Sequence, residues 1–145
     1  MGQARRLMDR FTEAALIDKD LKQVGDCFAE NAVAEAPDRT LTGRDEIVEY
    51  VRQFVDGFPD VRFEERAMYE DGDAAVVEGV YVATNTGPLA GPDGRTYPAT
   101  GRPIRLRSCE VGTVGDGVFT AYRFYNDQVE FLAQLGLMED PAAGR

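Results

Sequence analysis

The sequence contains no histidine, and this absence narrows the chemistry open to the protein. Zinc sites of the usual types and Ser–His or Cys–His nucleophile systems are therefore excluded or poorly supported. Any proton transfer must use a carboxylate, a tyrosine, a cysteine, a lysine or water. We therefore expect neither a metal ion nor a cofactor.

Cysteine and long apolar runs are also scarce. Cys27 and Cys109 are the only cysteines, and in a reducing compartment such thiols are expected to stay free. No apolar run approaches the roughly 20 residues of a membrane helix. The opening residues 1–6 are followed by mixed helical sequence and not by the apolar core of a signal peptide. We expect a cytoplasmic protein without a membrane partner.

Basic residues are outnumbered, with 16 against 26 acidic residues and a formal net charge of −10. Such a field repels phosphate backbones, and no basic patch interleaved with aromatic residues interrupts it, so nucleic acid is a poor partner. The 145 residues are 43% hydrophobic and 29% charged, which is ordinary globular composition. We expect one domain over residues 1–145 that can bury a core without disulfide bonds or a structural metal ion.

The N-terminal part carries helical periodicity. Ala4–Asp18 places apolar residues on one face, and Leu21–Ala29 repeats this pattern over a shorter helix. A brief extended segment is expected over Asn31–Ala36. Thr42-Gly43-Arg44-Asp45 resembles a capping box and predicts the start of a third helix, which Pro59 ends.

From Val61 onward the pattern changes to strands. Four segments predict them: Val61–Glu70, Ala74–Thr86, Pro103–Val114 and Val118–Asn126. Between the second and third lies Gly87–Gly101, which holds four Gly and three Pro and predicts a long loop, either a lid or a simple connection of two strands. A last helix over Asp127–Leu135 ends at Gly136, with Asp127 as its N-cap. Helices followed by antiparallel strands predict an α+β domain.

This order of elements resembles the nuclear transport factor 2-like superfamily of cone-shaped α+β barrels. Four motifs are similar, in this order, to those of the SnoaL-like polyketide cyclases: Thr42-Gly43-Arg44-Asp45-Glu46-Ile47, Phe58-Pro59-Asp60-Val61-Arg62-Phe63, Thr86-Gly87-Pro88-Leu89 and Gln134-Leu135-Gly136-Leu137. The resemblance covers nearly the whole chain. It implies a strongly curved antiparallel sheet wrapped over three N-terminal helices, with a short C-terminal helix. It also implies a deep pocket on the concave face, closed by the first and third helices, and a homodimer.

The acid/base groups of the family are incompletely present. SnoaL-like cyclases usually carry an aspartate and a histidine on neighbouring strands, and the resemblance places Phe124 and Glu110 at those positions. One group is therefore lost and the other is exchanged for a carboxylate. The steroid isomerases of the superfamily need an Asp and a Tyr where this chain has Ala36 and Phe11. The limonene-epoxide hydrolases need an Arg-x-Asp pair where it has Gly79-Val80-Tyr81.

Glu110 is the candidate acid or hydrogen-bond donor. It lies mid-strand at two-residue spacing from Leu106 and Ser108, so all three side chains share one face. If that face is concave, the carboxyl enters an apolar pocket and desolvation raises its pKa. The alternative is an outward-facing charge that pairs with an Arg across the hairpin.

The register of the hairpin decides between these alternatives. A three-residue loop, Gly115-Asp116-Gly117, puts Glu110 opposite Tyr122, whereas a two-residue loop puts it opposite Arg123. The family resemblance favours the first. The residues that would then share a face with Glu110 are Tyr122, Phe124 and Asn126.

The candidate catalytic residues are Glu110, Tyr122 and Asn126, whose hydroxyl and amide groups could orient a carbonyl. The alternative for the last two is half-buried polar residues bonded to backbone or water. The candidate substrate-binding residues are Phe11, Tyr50, Phe54, Tyr81, Leu106, Ser108 and Phe124, although their spacing also fits plain core. Apolar residues such as Val111 and Phe119 are expected on the outer sheet face, where a homodimer would form.

We expect an enzyme that closes a ring in a small, apolar, polyketide-like ligand. The missing aspartate and histidine favour a pericyclic (Diels–Alder type) closure driven by substrate folding, because holding reacting atoms together can contribute on the order of 7–11 kcal/mol. One alternative is an acid/base isomerase or aldol-type cyclase that uses Glu110. Another is a non-catalytic small-molecule binding protein.

Overall fold

The computed structural model describes residues 2–138, so Met1 and residues 139–145 of the expected domain lie outside it. Four α-helices occur in this range: α1 (Gln3–Thr12), α2 (Leu21–Asp26), α3 (Arg44–Gly57) and α4 (Gln128–Gln134). A π-helical segment, Glu13–Ile17, continues α1 without a break, and the Asp18 amide donates to the Glu13 carbonyl to close its wider turn. Among the described residues, no helix combines the length and apolar character needed to cross a membrane.

The strands of the described residues are, in chain order, β1 (Phe28–Glu35), β2 (Thr40–Thr42), β3 (Arg62–Asp71), β4 (Ala74–Thr84), β5 (Leu89–Ala90), β6 (Thr96–Tyr97), β7 (Pro103–Gly115) and β8 (Val118–Asn126). Six of them form a curved, open sheet in the order β2-β1-β8-β7-β4-β3. All neighbours are antiparallel except β1 and β8. The predicted α+β architecture, a curved sheet packed on helices, is confirmed.

The N-termini of α4 and α3 are capped in different ways. Asp127 caps α4 by accepting hydrogen bonds from the Val129 and Glu130 amides, so its predicted structural role is confirmed. The predicted capping box of α3 is wrong, because Thr42 belongs to β2. Gly43 is the N-cap residue instead, with a φ of 92° and no side-chain cap. This left-handed backbone conformation favours glycine.

The tip of the β7–β8 hairpin differs from the prediction. Gly115 pairs with Val118, so the turn is the two-residue Asp116-Gly117 and the expected three-residue loop is wrong. Asp116 and Gly117 have φ values of 51° and 83°, which matches the positive angles of a type I′ turn. An uninterrupted ladder from this turn would pair Glu110 with Arg123 and turn Tyr122 and Phe124 to the outer face of the sheet.

A β-bulge at Thr120 prevents this outcome. The ladder passes from Phe119 to Ala121, so Thr120 has no partner and the register shifts by one residue. Beyond the bulge, Glu110 pairs with Phe124, not with Tyr122 or Arg123 as the two predicted loops required. The predicted concave face of Glu110 is nevertheless confirmed.

The two-residue turn also corrects the expected position of Phe119, because it pairs this residue with the inward-facing Val114. This ring is fully buried and contacts Phe11, Phe28 and Tyr122, with ring centroids 5.1–6.2 Å apart. It therefore belongs to the inner core and not to the outer sheet face. Gly112 gives it room, because a Cβ there would lie 2.4 Å from a ring carbon of Phe119.

Asn85 holds the loop between β4 and β7, which contains the small β5–β6 ribbon. Its side chain is fully buried and donates to the carbonyls of Gly57 and Gly87. Its amide oxygen accepts from both the backbone amide and the hydroxyl of Thr100. These bonds tie the two ends of the loop to the end of α3. Leu89 and Ala90 of this loop line the second of the two chambers described below.

Candidate active site

A cavity lies between the concave face of the sheet and the helical layer formed by α1, the π-helical segment and α3. Its volume is about 70 Å³. The residues that line it are Phe11, Thr12, Ala15, Leu16, Tyr50, Val51, Phe54, Val55, Tyr81, Leu106, Ser108, Glu110, Phe124 and Asn126. Most of them are apolar, and only Tyr50, Tyr81 and Glu110 carry ionisable groups. The first and third helices close this cavity, as the family resemblance implied.

Glu110 is the only carboxyl group on the cavity wall, and it is held by three hydroxyl groups. Tyr122 donates to its Oε1 over 2.5 Å, and Tyr81 donates to its Oε2. Ser108 Oγ lies 3.5 Å from the same Oε2. The carboxyl is 3% exposed, so its orientation is fixed by these bonds and not by solvent.

Burial dominates the electrostatics of this cluster. It raises the pKa of Glu110, and the hydrogen bonds from Tyr122, Tyr81 and Ser108 oppose that rise without cancelling it. Burial also raises the pKa of Tyr81 and of Tyr122, and the charge of Glu110 adds to both shifts. Both tyrosines therefore keep their hydroxyl protons, and Glu110 is the group of the cluster that gives up its proton first as the pH rises.

Tyr122 does not line the cavity, which corrects its expected place beside the ligand. Its ring is 1% exposed and packs edge-on against Phe11 at a centroid distance of 5.2 Å. Its hydroxyl lies between Glu110 and the sulfur of Met8, which is 3.1 Å away. Tyr122 therefore positions Glu110 from behind and makes no contact with the cavity.

Asn126 lines the cavity at a different point. It pairs with Ser108 across the β7–β8 ladder, and its Oδ1 accepts a hydrogen bond of 2.7 Å from Gln128 Nε2. The seven predicted substrate-binding residues also line the cavity. The structure thus brings Glu110, Tyr81 and Ser108 into one hydrogen-bonded cluster and leaves Asn126 apart from it.

Leu16 is a lining residue that the sequence reasoning missed. A regular α-helix would continue the apolar face of α1 from Phe11 to Ala15 and turn Leu16 away. The π-helical segment has a wider turn, so both Ala15 and Leu16 reach the cavity. The apolar pair Leu16-Ile17 was the available sequence signal; in the structure Leu16 lines the cavity and Ile17 is 74% exposed.

A second chamber of about 90 Å³ adjoins this cavity and shares four of its lining residues: Tyr50, Phe54, Leu106 and Asn126. We call the first the inner chamber and the second the outer chamber. The other residues of the outer chamber are Asp38, Arg39, Gln53, Phe58, Leu89, Ala90, Gln128 and Phe131. Residues 2–138 contain no group of His, Cys, Asp and Glu side chains arranged to hold a metal ion.

Comparison with known proteins identifies the family. A sequence model of the SnoaL-like domain matches residues 5–122, and no curated protein matches the chain in sequence. A candidate SnoaL-like polyketide cyclase from Jannaschia sp. has 15% identity, coverage of 94% of this chain and 93% of its own, and a TM-score of 0.82. The candidate polyketide cyclase IdmH from Streptomyces antibioticus has 22% identity, coverage of 93% and 99%, and a TM-score of 0.75.

A third solved structure, from Catenulispora acidiphila, is described as having a ketosteroid isomerase-like fold in complex with trimethylamine. It has 20% identity, coverage of 92% of this chain and 95% of its own, and a TM-score of 0.73. At these identities the structural similarities establish the fold, while the sequence model spans most of the chain and establishes the family. The chain belongs to the SnoaL-like domain family.

Proposed function

We propose that this protein is a cofactor-free cyclase that closes a ring in a polyketide or related secondary-metabolite intermediate. Membership of the SnoaL-like family supports a role of the cyclase or isomerase type. The two adjoining chambers offer mainly apolar walls to a small ligand. The substrate we infer is a flexible, conjugated chain that carries at least one carbonyl group.

The observation that carries this proposal is the isolation of Glu110. It faces an apolar chamber, and the residue paired with it on β8 is Phe124, which has no acid or base group. Acid/base cyclisation commonly needs one group to remove a proton and another to return it. A single buried carboxyl with a raised pKa is better suited to donate one hydrogen bond to a carbonyl oxygen.

The reaction that suits this arrangement is a pericyclic closure. It converts π bonds of the substrate into σ bonds without net transfer of a proton or an electron. The apolar walls fold the chain so that the reacting carbons meet, which can contribute on the order of 7–11 kcal/mol. Protonated Glu110, held by Tyr81 and Tyr122, polarises a carbonyl conjugated with the reacting bonds.

The test is incubation with a panel of linear polyenes that carry a carbonyl, followed by chromatography that separates cyclised isomers of equal mass. Glu110→Gln keeps a hydrogen-bond donor, so we expect turnover to fall by roughly tenfold, the effect of one weakened hydrogen bond. Glu110→Leu removes the donor and should lower turnover further. Glu78→Gln, a change of an exposed carboxyl on β4, is the matched control.

The raised pKa of Glu110 also supports a second candidate, an acid/base isomerase or aldol-type cyclase with Glu110 as its proton carrier. In that case Glu110→Gln would abolish turnover, and the pH profile of the wild type would follow the titration of one carboxyl. A rise in turnover on Phe124→Asp would also favour this candidate. Ligand that binds and is released unchanged would instead identify a binding protein.

Homodimerisation and a cytoplasmic location remain part of this proposal. The outer sheet face carries Val111 and the half-exposed Tyr125 between charged residues such as Arg107 and Arg123. Native mass spectrometry at several concentrations would report the oligomeric state. If the wild type is monomeric at every concentration, and Tyr125→Glu has the same mass, the predicted dimer is contradicted.

A further inference from the structure

Arg39 gives the outer chamber a polar anchor that the inner chamber lacks. It ends the turn between β1 and β2, where the Ala36 amide donates to the Arg39 carbonyl over 2.8 Å. Its guanidinium carbon lies 5.2 Å from the centre of the Tyr50 ring, a stacking geometry that restrains it. Arg39 is thus fixed in space before any ligand arrives.

The hydrogen-bonding capacity of Arg39 is only partly used. One terminal nitrogen donates to Asp38 over 3.2 Å, and Nε is buried without a hydrogen-bond partner. Nε itself is out of reach of a ligand, but the side chain is 25% exposed and lines the outer chamber, so the terminal nitrogens are the donors open to a ligand atom.

The charges around the outer chamber favour a neutral acceptor over an anion. Asp38 already balances the charge of Arg39, and both side chains are no more than 25% exposed. The chain as a whole has a net charge of −10, which repels a carboxylate. The nearby amides of Gln53 and Gln128 donate to Glu49 and Asn126 and bring no further positive charge.

We propose that the outer chamber is a second substrate subsite, in which Arg39 binds a neutral carbonyl oxygen of the substrate. The subsite rests on the proposed function and extends it to a substrate with two carbonyl groups. One carbonyl lies at Glu110 in the inner chamber and the other at Arg39. Tyr50 lines both chambers, and its ring lies against Arg39. Two anchors fix the direction in which the chain enters and therefore which carbons meet.

The test compares ligands that differ at one end only. The probes are dimethyl muconate, a conjugated diester, together with its longer vinylogues, and the corresponding monoesters such as methyl sorbate. Affinities are measured by titration calorimetry on the full chain. We expect the wild type to bind at least one diester more tightly than its monoester. Arg39→Met should weaken that diester by about tenfold, the effect of one hydrogen bond from a charged donor.

Two controls make the result specific. Arg39→Met should leave monoester affinity within about twofold, and Arg62→Met, a change of an exposed arginine on β3, should alter neither affinity. Asp38→Asn removes the neutralising charge and should shift the preference of the subsite toward the monomethyl ester of muconic acid, which is an anion. Equal losses for diester and monoester on Arg39→Met would overturn the proposal.

The remaining outcomes are also decisive. A wild type that binds no diester more tightly than its monoester would reject the subsite. Tighter binding of free muconic acid than of its diester would reject the neutral acceptor. Binding through Arg39 without any cyclised product would keep the subsite and reject the cyclase. Cyclisation with a KM that Arg39→Met leaves unchanged would keep the cyclase and reject the subsite.

Discussion

The hydrogen bond from Tyr122 to Glu110 should make stability depend on pH in a way that one substitution exposes. The two oxygens lie 2.5 Å apart, and both side chains are at most 3% exposed. A hydrogen bond to a charged group contributes about 1.5–3 kcal/mol, and one between neutral groups about 0.5–1.5 kcal/mol. Tyr122→Phe keeps the packed ring and loses the hydroxyl. We expect the larger cost where Glu110 is ionised and the smaller cost where it is protonated.

The sign follows from the pKa of Glu110, which burial raises above its unfolded value. The stability that this carboxyl contributes is fully present below the unfolded pKa and is lost as the pH rises through the folded pKa. Tyr122→Phe withdraws a donor from the charged form, so it raises the folded pKa of Glu110 further. The total loss of stability with rising pH should therefore be larger in the variant and extend to higher pH.

Urea unfolding at acidic and at neutral pH measures both costs, and thermal unfolding provides a second readout. In a domain of this length, each kcal/mol of destabilisation lowers Tm by about 2–4 °C. Tyr69→Phe is the control, because Tyr69 is 63% exposed and its hydroxyl is free to bond with water. An identical cost of Tyr122→Phe at both pH values would refute the reasoning, since it would mean that the bond never gains from a charge on Glu110.

Three further substitutions test the structure around the site. Glu110→Gln should flatten the fall of stability with rising pH in the same urea series, because the titrating group is gone. Gly112→Ala should cost about 1–3 kcal/mol by overpacking, since its Cβ would lie 2.4 Å from a ring carbon of Phe119. Gly25→Ala, where the nearest atom is 3.5 Å away, is its control in thermal unfolding. Asn85→Ala leaves buried partners unpaired and should speed proteolysis of the loop between β4 and β7; unchanged cleavage would contradict its anchoring role.

Much of the fold could be predicted because its strands follow simple patterns. In β7 every second residue from Ile104 to Val114 is buried, so alternation locates both the strand and its inner face. The short elements β2, β5 and β6 escaped prediction, since two or three residues carry too little periodicity to detect. The bulge at Thr120 also escaped, because nothing in the local sequence distinguishes an unpaired threonine from a paired one.

The sequence predicted most residues of the candidate site, but not which of them reach the cavity. Two-residue spacing correctly put Tyr122 and Phe124 on one face, and the family resemblance correctly put Glu110 on that face, although the loop assumed for it was wrong. The same spacing does not tell which inward-facing residues reach the cavity. Tyr122 was therefore placed beside the ligand, although it lies behind Glu110. The bond from Tyr81 to Glu110 joins side chains on neighbouring strands, and their meeting depends on the curvature of the sheet.

The π-helical segment has a consequence for how such a cavity can evolve. A π-helical turn is equivalent to one residue inserted into an α-helix. Loss of a single residue from Glu13–Ile17 would restore the α-helix and leave the residues on either side of the segment facing as they do now. Leu16 and Ala15 would then no longer both face the inner chamber, while every strand pairing would stay as it is. One codon gained or lost could therefore reshape the inner chamber, and with it the range of substrates, at no cost to the sheet.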